Sequence, residues 1–500
     1  MRQLPEEIDT ARKHIEKLAK DYGLDFYPVS FEMVTYNQIN AFAAYGGFPT
    51  RYPHWSFGMQ YEQLAKSYEY GLSKIYEMVV NTDPVYAYLM EGNMHVDQKM
   101  VMAHVFGHAD FFKNNKWFEP TNRKMMDVMA NHATRIREYN DQFGQDVVEA
   151  FIDKIMSIDN LIDRYSPYVK RENREEKKQE IERVKKYHES KFHDSDYLST
   201  MRPETASDKQ GDAEVLKYPS RPEKDVLEFL INYAPLEPWQ VDIISMVRSE
   251  SYYFAPQGMT KIMNEGWASY WHTTMMTKNL LDDSELVCYA DHHAGAVSMH
   301  PMGFNPYKIG LELFREIEDR WNKGQFGKDW NDCNDVDQKK NWDKKLGLGR
   351  QKIFEVRRDY NDVTFIDEFL TEDFCVRNKM FVYRQDEKTG KLIVDTREFQ
   401  KTKKQLLFQL TNWGQPIICV ENGNHENKGE LLLSHLHEGV DMQPDYMKET
   451  MKAIAYVWGR PVNMRTIMDE EEQIFRWDGK EHTSRKTGEA AVNPEDGGEK

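Results

Sequence analysis

The sequence predicts a mainly α-helical body with a smaller α+β domain at its C-terminal end, and three observations predict it. Apolar residues recur at helical spacing through most of the chain, strand-like runs take over after about Val376, and the aromatic content of 13% supplies rings enough for a large core. The 500 residues carry 66 basic against 83 acidic side chains, a formal charge of −17, which excludes a surface devoted to nucleic acid. No run approaches the ~20 apolar residues of a bilayer span. The amino end, MRQLPEEIDTARKHIEKLAK, reads as a charged amphipathic helix and not an export signal, so a cytoplasmic protein is expected.

Residues 1–166 read as the first helical part of the body. Ile8, Ala11, Ile15, Leu18 and Ala19 fall at helical spacing and Gly23 closes that helix. In RYPHWSFGMQYEQLAKSYEYGLSKIYEMVVN, Leu64, Tyr68, Leu72, Ile75 and Tyr76 share one side of a second helix. Residues 167–224 read as a charged helix or arm followed by a Pro-containing linker, with Pro203, Pro219 and Pro222 among polar residues. Residues 225–376 resume the helical body. Residues 377–477 form the α+β domain: FVYRQDEKTGKLIVDT reads as two strands about a Lys-Thr-Gly turn, KTKKQLLFQLTNW as helix, PIICVENG and ELLLSHLHEG as strands, and YMKETMKAIAYVWG as helix. Residues 478–500 hold Val492 as their single branched aliphatic residue and are expected to be a disordered tail.

The chemistry concentrates in histidines. In DQKMVMAHVFGHADFF, His104 and His108 stand four apart on a helix, so their rings leave one face about one turn apart, as two imidazole ligands of a metal do. The same spacing also suits a purely structural helix. In TKIMNEGWASYWHTTMM, Glu265 lies among Trp267, Tyr270, Trp271 and Met275, with His272 seven residues on and on the same face. A carboxylate in apolar surroundings must be paired, protonated or metal-bound, and Gly266 and Ala268 permit close helix approach. Two histidines on one helix and a glutamate from a later one make the ligand set of many zinc peptidases, so His104, His108 and Glu265 are the candidate zinc ligands.

In H-E-x-x-H peptidases the residue after the first histidine is the glutamate that takes a proton from water. Here it is Val105, so H-V-F-G-H keeps the ligands and lacks the base. Asp110, Glu250 in RSESYYFAPQ and Glu91 in LMEGN are the carboxylates that stand as candidates for that work, each with an alternative reading as a salt bridge or cap, and His272 is a candidate proton carrier. Glu250 and His272 are taken as the candidate catalytic pair. His292, His293 and His300 occupy a Gly/Pro-containing loop in ADHHAGAVSMHPMGFNPY that could line a cleft. His132 with Arg135, and Glu149 with Asp153, read first as hydrogen bonding between helices, and Lys401, Lys403 and Lys404 as a solvated basic spot. Cys288, Cys333, Cys375 and Cys419 show no C-x-x-C spacing, so reduced, mostly buried thiols are expected and no zinc ribbon. Walker, G-x-G-x-x-G and G-x-S-x-G signatures are missing from the sequence.

The strings RYPHWSFGMQYEQL, YGLSKIYEMVVNTDP, DQKMVMAHVFGHADFFKNN, MANHATRIREY, EAFIDKI, APQGMTKIMNEGWASYWH and NPYKIGLELFREIEDRW, in this order, resemble the stage V sporulation protein R (SpoVR) family from about Thr35 to Trp458. The resemblance implies a cytoplasmic protein of sporulation or stress, connected with the peptidoglycan of the spore cortex. It also implies a PrkA-type serine kinase and a von Willebrand A-like protein of the YhbH/YeaH type as partners, and an association with peptidoglycan amidase activity. Two readings follow: a zinc-dependent amidase or peptidase-like hydrolase acting on peptidoglycan or its precursors, or a non-catalytic regulator or scaffold working through those two partners.

Overall fold

The helical spacing of the first residues becomes a helix, Glu6–Asp21, that buries Ile8, Ile15 and Ala19. Gly23, at φ +95°, then turns the chain out of it. The structure, a computed structural model, describes residues 4–69, 77–169, 176–186, 216–298, 305–385 and 392–487. The architecture is mainly α with a smaller α+β C-terminal part. Contacts divide the chain into two compact units, Met1–Arg137 with Tyr253–Gly414, and Glu138–Tyr252 with Gln415–Lys500.

The first unit is built on helices His95–Asn114, Lys261–Met275 and Pro306–Lys323. Val101, Met102, Val105, Phe106, Trp267, Trp271, Leu313 and Phe314 are buried together between them. Three contacts at small residues set the spacing. A Cβ on Gly107 would lie 2.7 Å from Ala268 Cα, while one on Gly266 would strike Gly310 and one on Gly310 would strike the Ile262 carbonyl oxygen. The backbones therefore meet with nothing between them, closer than side-chain-separated helices pack.

The same unit also holds a small sheet that the helical reading of residues 1–166 did not anticipate. Strands β1 (Val29–Val34), β2 (Glu77–Val80) and β3 (Val85–Met90) lie in the order β1-β3-β2. β1 is parallel to β3, with Val29 opposite Val85, and β2 is antiparallel to β3, with Glu77 opposite Leu89. The run V-Y-A-Y-L-M of β3 is almost wholly buried, and a short continuous apolar run has no period to separate a buried strand from a helix. The aromatic-rich helix spans Trp55–Glu69, and the E-M-V-V that seemed to extend it is β2.

β4 (Val382–Gln385) and β5 (Leu392–Thr396) pair antiparallel as read from the sequence, and by contact they and the following Phe399–Leu410 helix belong to the first unit. The Lys-Thr-Gly turn between them lies outside the described residues. In the second unit, β6 (Ile417–His425), β7 (Glu430–Leu436), β8 (Val462–Met468), β9 (Glu471–Trp477) and β10 (His482–Lys486) form one sheet, order β10-β9-β8-β7-β6. β7 and β8 run parallel, so the chain must cross over between them. Helix Pro444–Trp458 makes that crossover and buries Met447, Met451, Ile454, Val457 and Trp458. β10 falls within the stretch expected to be a disordered tail and pairs with β9 instead, His482 opposite Trp477; residues 488–500 lie outside the described residues. Residues 176–186 of the charged segment are helical, with Val184 buried and Lys177 paired to Glu223 at 3.0 Å. The linker around Pro203 lies outside the described residues.

The amino end of Lys261–Met275 is held from a distant segment. Buried Asp362 accepts the backbone N–H groups of Ile262 at 2.8 Å and Met263 at 2.9 Å, the role an N-cap side chain usually plays. Burial raises its carboxyl from 3.8 to about 7, outweighing the two amide donors and Lys261. The folded state thus keeps a proton that the unfolded state releases above 3.8, and stability conferred by this group falls as pH rises toward 7.

Two measurements follow. Gly310→Ala should lower the unfolding free energy in denaturant by about 1–3 kcal/mol or more, since a methyl must be forced between two backbones. The stability of the unmodified protein relative to Asp362→Asn should decline between pH 4 and 7, by at most about 1.4 kcal/mol per pH unit, and flatten above; a pH-independent difference would refute the shifted carboxyl.

Candidate metal centre

His104 and His108 lie on the buried His95–Asn114 helix, and their rings stand 4.5 Å apart at an interplanar angle of 85°. Glu265 reaches the same point from Lys261–Met275, whose register relative to the histidine helix is set at Gly107 and Ala268. The Nε2 atoms of His104 and His108 lie 3.3 and 3.4 Å from the same oxygen, Glu265 Oε2. One ligand atom from each of the three residues falls within 4.8 Å of the others, and all three residues are buried. The His104 contact is within hydrogen-bond range, yet longer than the about 2.7–2.9 Å of a charge-assisted N–H···O bond. Two donors bonded to one tetrahedral ion at about 2.0–2.1 Å sit about 3.3–3.4 Å apart, which is the spacing found.

The remaining atoms of the three side chains are also placed. Lys261 Nζ donates to Glu265 Oε1 at 2.6 Å, an i,i+4 pair on one helix that leaves Oε2 facing the histidines. His108 Nδ1 meets Asn264 Oδ1 at 2.9 Å, His104 Nδ1 meets His272 Nδ1 at 2.8 Å, and the Tyr307 ring stacks on His104 with centroids 6.0 Å apart. Burial opposes ionisation of Glu265, yet His108, His104 and Lys261 hold its carboxyl well below the usual range. Burial, and after it the neighbouring His104 and His293, keeps the His272 imidazole neutral far below its ordinary value. Its Nε2 lies 3.3 Å from Nδ1 of half-buried His293, so three imidazoles run in a row from the centre to helix Leu286–Ala296.

The other residues singled out from sequence take separate places. Val105 is fully buried in the core. Asp110 is buried and accepts Asp25 N–H and Trp267 Nε1–H, each at 2.8 Å, with Arg357 at 3.4 Å; burial pushes its carboxyl up to about 6. These contacts make it a strut between segments. Glu250 is buried on helix Pro238–Met259 and belongs to the second unit. Glu91 is exposed just after β3, and His292 pairs through Nδ1 with buried Asp97. His300 lies outside the described residues. His132 is buried and Arg135 half-buried on Met125–Phe143, and Glu149 and Asp153 are half-buried on Gln145–Met156. Lys401 pairs with Glu398 and Lys403 with Asp367. All four cysteines are free thiols, but only Cys375 and Cys419 are buried. Sequence reasoning passed over Lys261, Asn264 and Tyr307. The i,i+4 spacing of Lys261 to Glu265 was a usable signal, whereas Asn264 and Tyr307 acquire meaning only across helices.

Among the described residues no helix is long and apolar enough to cross a membrane. Residues 3–415 match the family described as SpoVR like protein, and residues 416–469 match the SpoVR-like C-terminal domain. The junction of the two matches adjoins the Gly414–Gln415 limit between the compact units. Among curated proteins, the chain is 30% identical over 485 residues to "Uncharacterized protein YcgB" of Escherichia coli (strain K12), with 90% of each chain covered. No solved structure matches the chain.

Proposed function

The chain belongs to the SpoVR family, and from that premise we propose that it is a zinc-dependent hydrolase of amide bonds whose metal is held by His104, His108 and Glu265. The observation that carries this reading is the convergence of two Nε2 atoms on one carboxylate oxygen at 3.3 and 3.4 Å, the separation of neighbouring ligands. Zinc in such a place supplies Lewis acidity toward water and an amide carbonyl. Lys261 fixes the carboxylate by binding its other oxygen, and Tyr307 limits the swing of the His104 ring. The substrate class proposed from the family resemblance is the peptide of peptidoglycan or its cytoplasmic precursors, in sporulation or stress.

One observation favours a second reading. Val105 stands where the general base of H-E-x-x-H enzymes would be, and it is packed in the core. A chain without that base suits a regulator or scaffold that uses the centre for structure and acts with a PrkA-type kinase and a von Willebrand A-like protein.

Metal analysis of the purified chain, beside His104→Ala, is expected to find about one zinc per chain and its loss in the variant, with loss of amide hydrolysis on peptidoglycan fragments. A metal-free wild-type protein would sink the metal reading. Stoichiometric zinc without hydrolysis would favour the scaffold.

A further inference from the structure

We infer that Asn264 and His272 are positioning residues that lock the two ligand histidines into one tautomer through uncharged acceptors, an inference that rests on the metal reading of His104, His108 and Glu265. His108 Nδ1 lies 2.9 Å from Asn264 Oδ1. An amide oxygen only accepts, so His108 donates from Nδ1, and when its Nε2, 3.4 Å from Glu265 Oε2, gives its lone pair to a metal the ring's one hydrogen stays on Nδ1. His104 is placed likewise: its Nε2 meets Glu265 Oε2 at 3.3 Å, and when that nitrogen gives its lone pair to a metal the ring carries its hydrogen on Nδ1, donated to His272 Nδ1 at 2.8 Å. His272 then carries its own hydrogen on Nε2, facing His293 Nδ1 at 3.3 Å. With a metal on His104 Nε2, the three imidazoles thus accept one consistent set of hydrogens; the reverse set would spend that nitrogen's hydrogen on Glu265.

Both acceptors ride on the helix that carries the carboxylate. Asn264 is the residue before Glu265, and His272 is two turns further on the same face. Asn264 and His272 are themselves buried, which excludes water from competing for the two N–H groups. Ligand histidines commonly donate to a carboxylate, which raises their basicity and adds negative charge to the site. Here the orienting groups are an amide and an imidazole, so Glu265 is the one anionic group among ligands and orienters, and a divalent ion would keep a net positive charge. The arrangement favours electrophilic chemistry over the tightest possible retention.

The test uses the full-length protein, zinc, and a competing chelator of known affinity. Asn264→Leu, similar in size and without an acceptor, should bind zinc about 10–100-fold more weakly than wild type. Asn264→Asp, which keeps the acceptor and adds charge, should bind at least as tightly as wild type and shift the visible bands of the cobalt(II)-substituted protein. Unchanged affinity in Asn264→Leu, with wild type binding zinc, would overturn the positioning role alone. Failure of wild type itself to bind zinc would overturn the metal reading and the inference with it. If Asn264→Leu does not fold, Asn264→Asp decides: affinity and cobalt bands identical to wild type refute the proposal.

Discussion

The candidate centre depends on the approach of two helix backbones at Gly107 and Ala268, backed by a second approach at Gly266 and Gly310. Histidine and glutamate side chains are short, and helices held apart by ordinary core side chains run about 8–10 Å between axes. By meeting at glycines and one alanine, the helices bring a ligand atom of each imidazole and of the carboxylate within 4.8 Å of one another. Trp267, Trp271 and Phe314, placed around the small residues, fill the volume those residues leave. Large rings and absent side chains are two halves of one packing solution.

That close interior makes charge expensive, and each buried carboxylate near the centre is surrounded by donors. Glu265 has two imidazoles and Lys261, Asp110 has a backbone amide, an indole N–H and Arg357, and Asp362 has two amides at a helix end. The outcomes differ with the kind of partner. Lysine and imidazoles keep Glu265 ionised, whereas at Asp362 neutral amides do not offset desolvation and the proton is retained toward neutral pH. Three acids on neighbouring elements thus serve three purposes, and only the first faces the histidines.

The sequence revealed what is periodic within one element. The i,i+4 spacing of His104 and His108, the acid in an aromatic helix at Glu265, and the small residues at Gly266 and Ala268 were all legible, as were strands β4 to β7 and the Pro444–Trp458 helix. It did not reveal β1 to β3, whose short apolar runs fit either period, nor the β8–β9 pair after the Pro444–Trp458 helix, nor β10, whose polar residues H-T-S-R-K form a strand only because β9 offers an edge. Tertiary partners were the least readable. Asn264 beside a glutamate and Asp362 in another segment look like ordinary helix-boundary residues until the fold sets them against His108 and the amides of Ile262 and Met263. Asp110 was legible as an acid near the histidines, but its direction, toward Trp267 and Arg357, was not.

Since Asn264, Glu265 and His272 share one helix, anchored end-on by Asp362, they cannot move independently. Sliding that helix along its axis by even a fraction of a turn would misalign ligand and orienters in the same stroke. Damage far from the histidines, at the anchor or at a glycine crossing, should therefore look like damage to the histidines themselves, and genetic screens would scatter their hits along the spine of this helix rather than around a pocket.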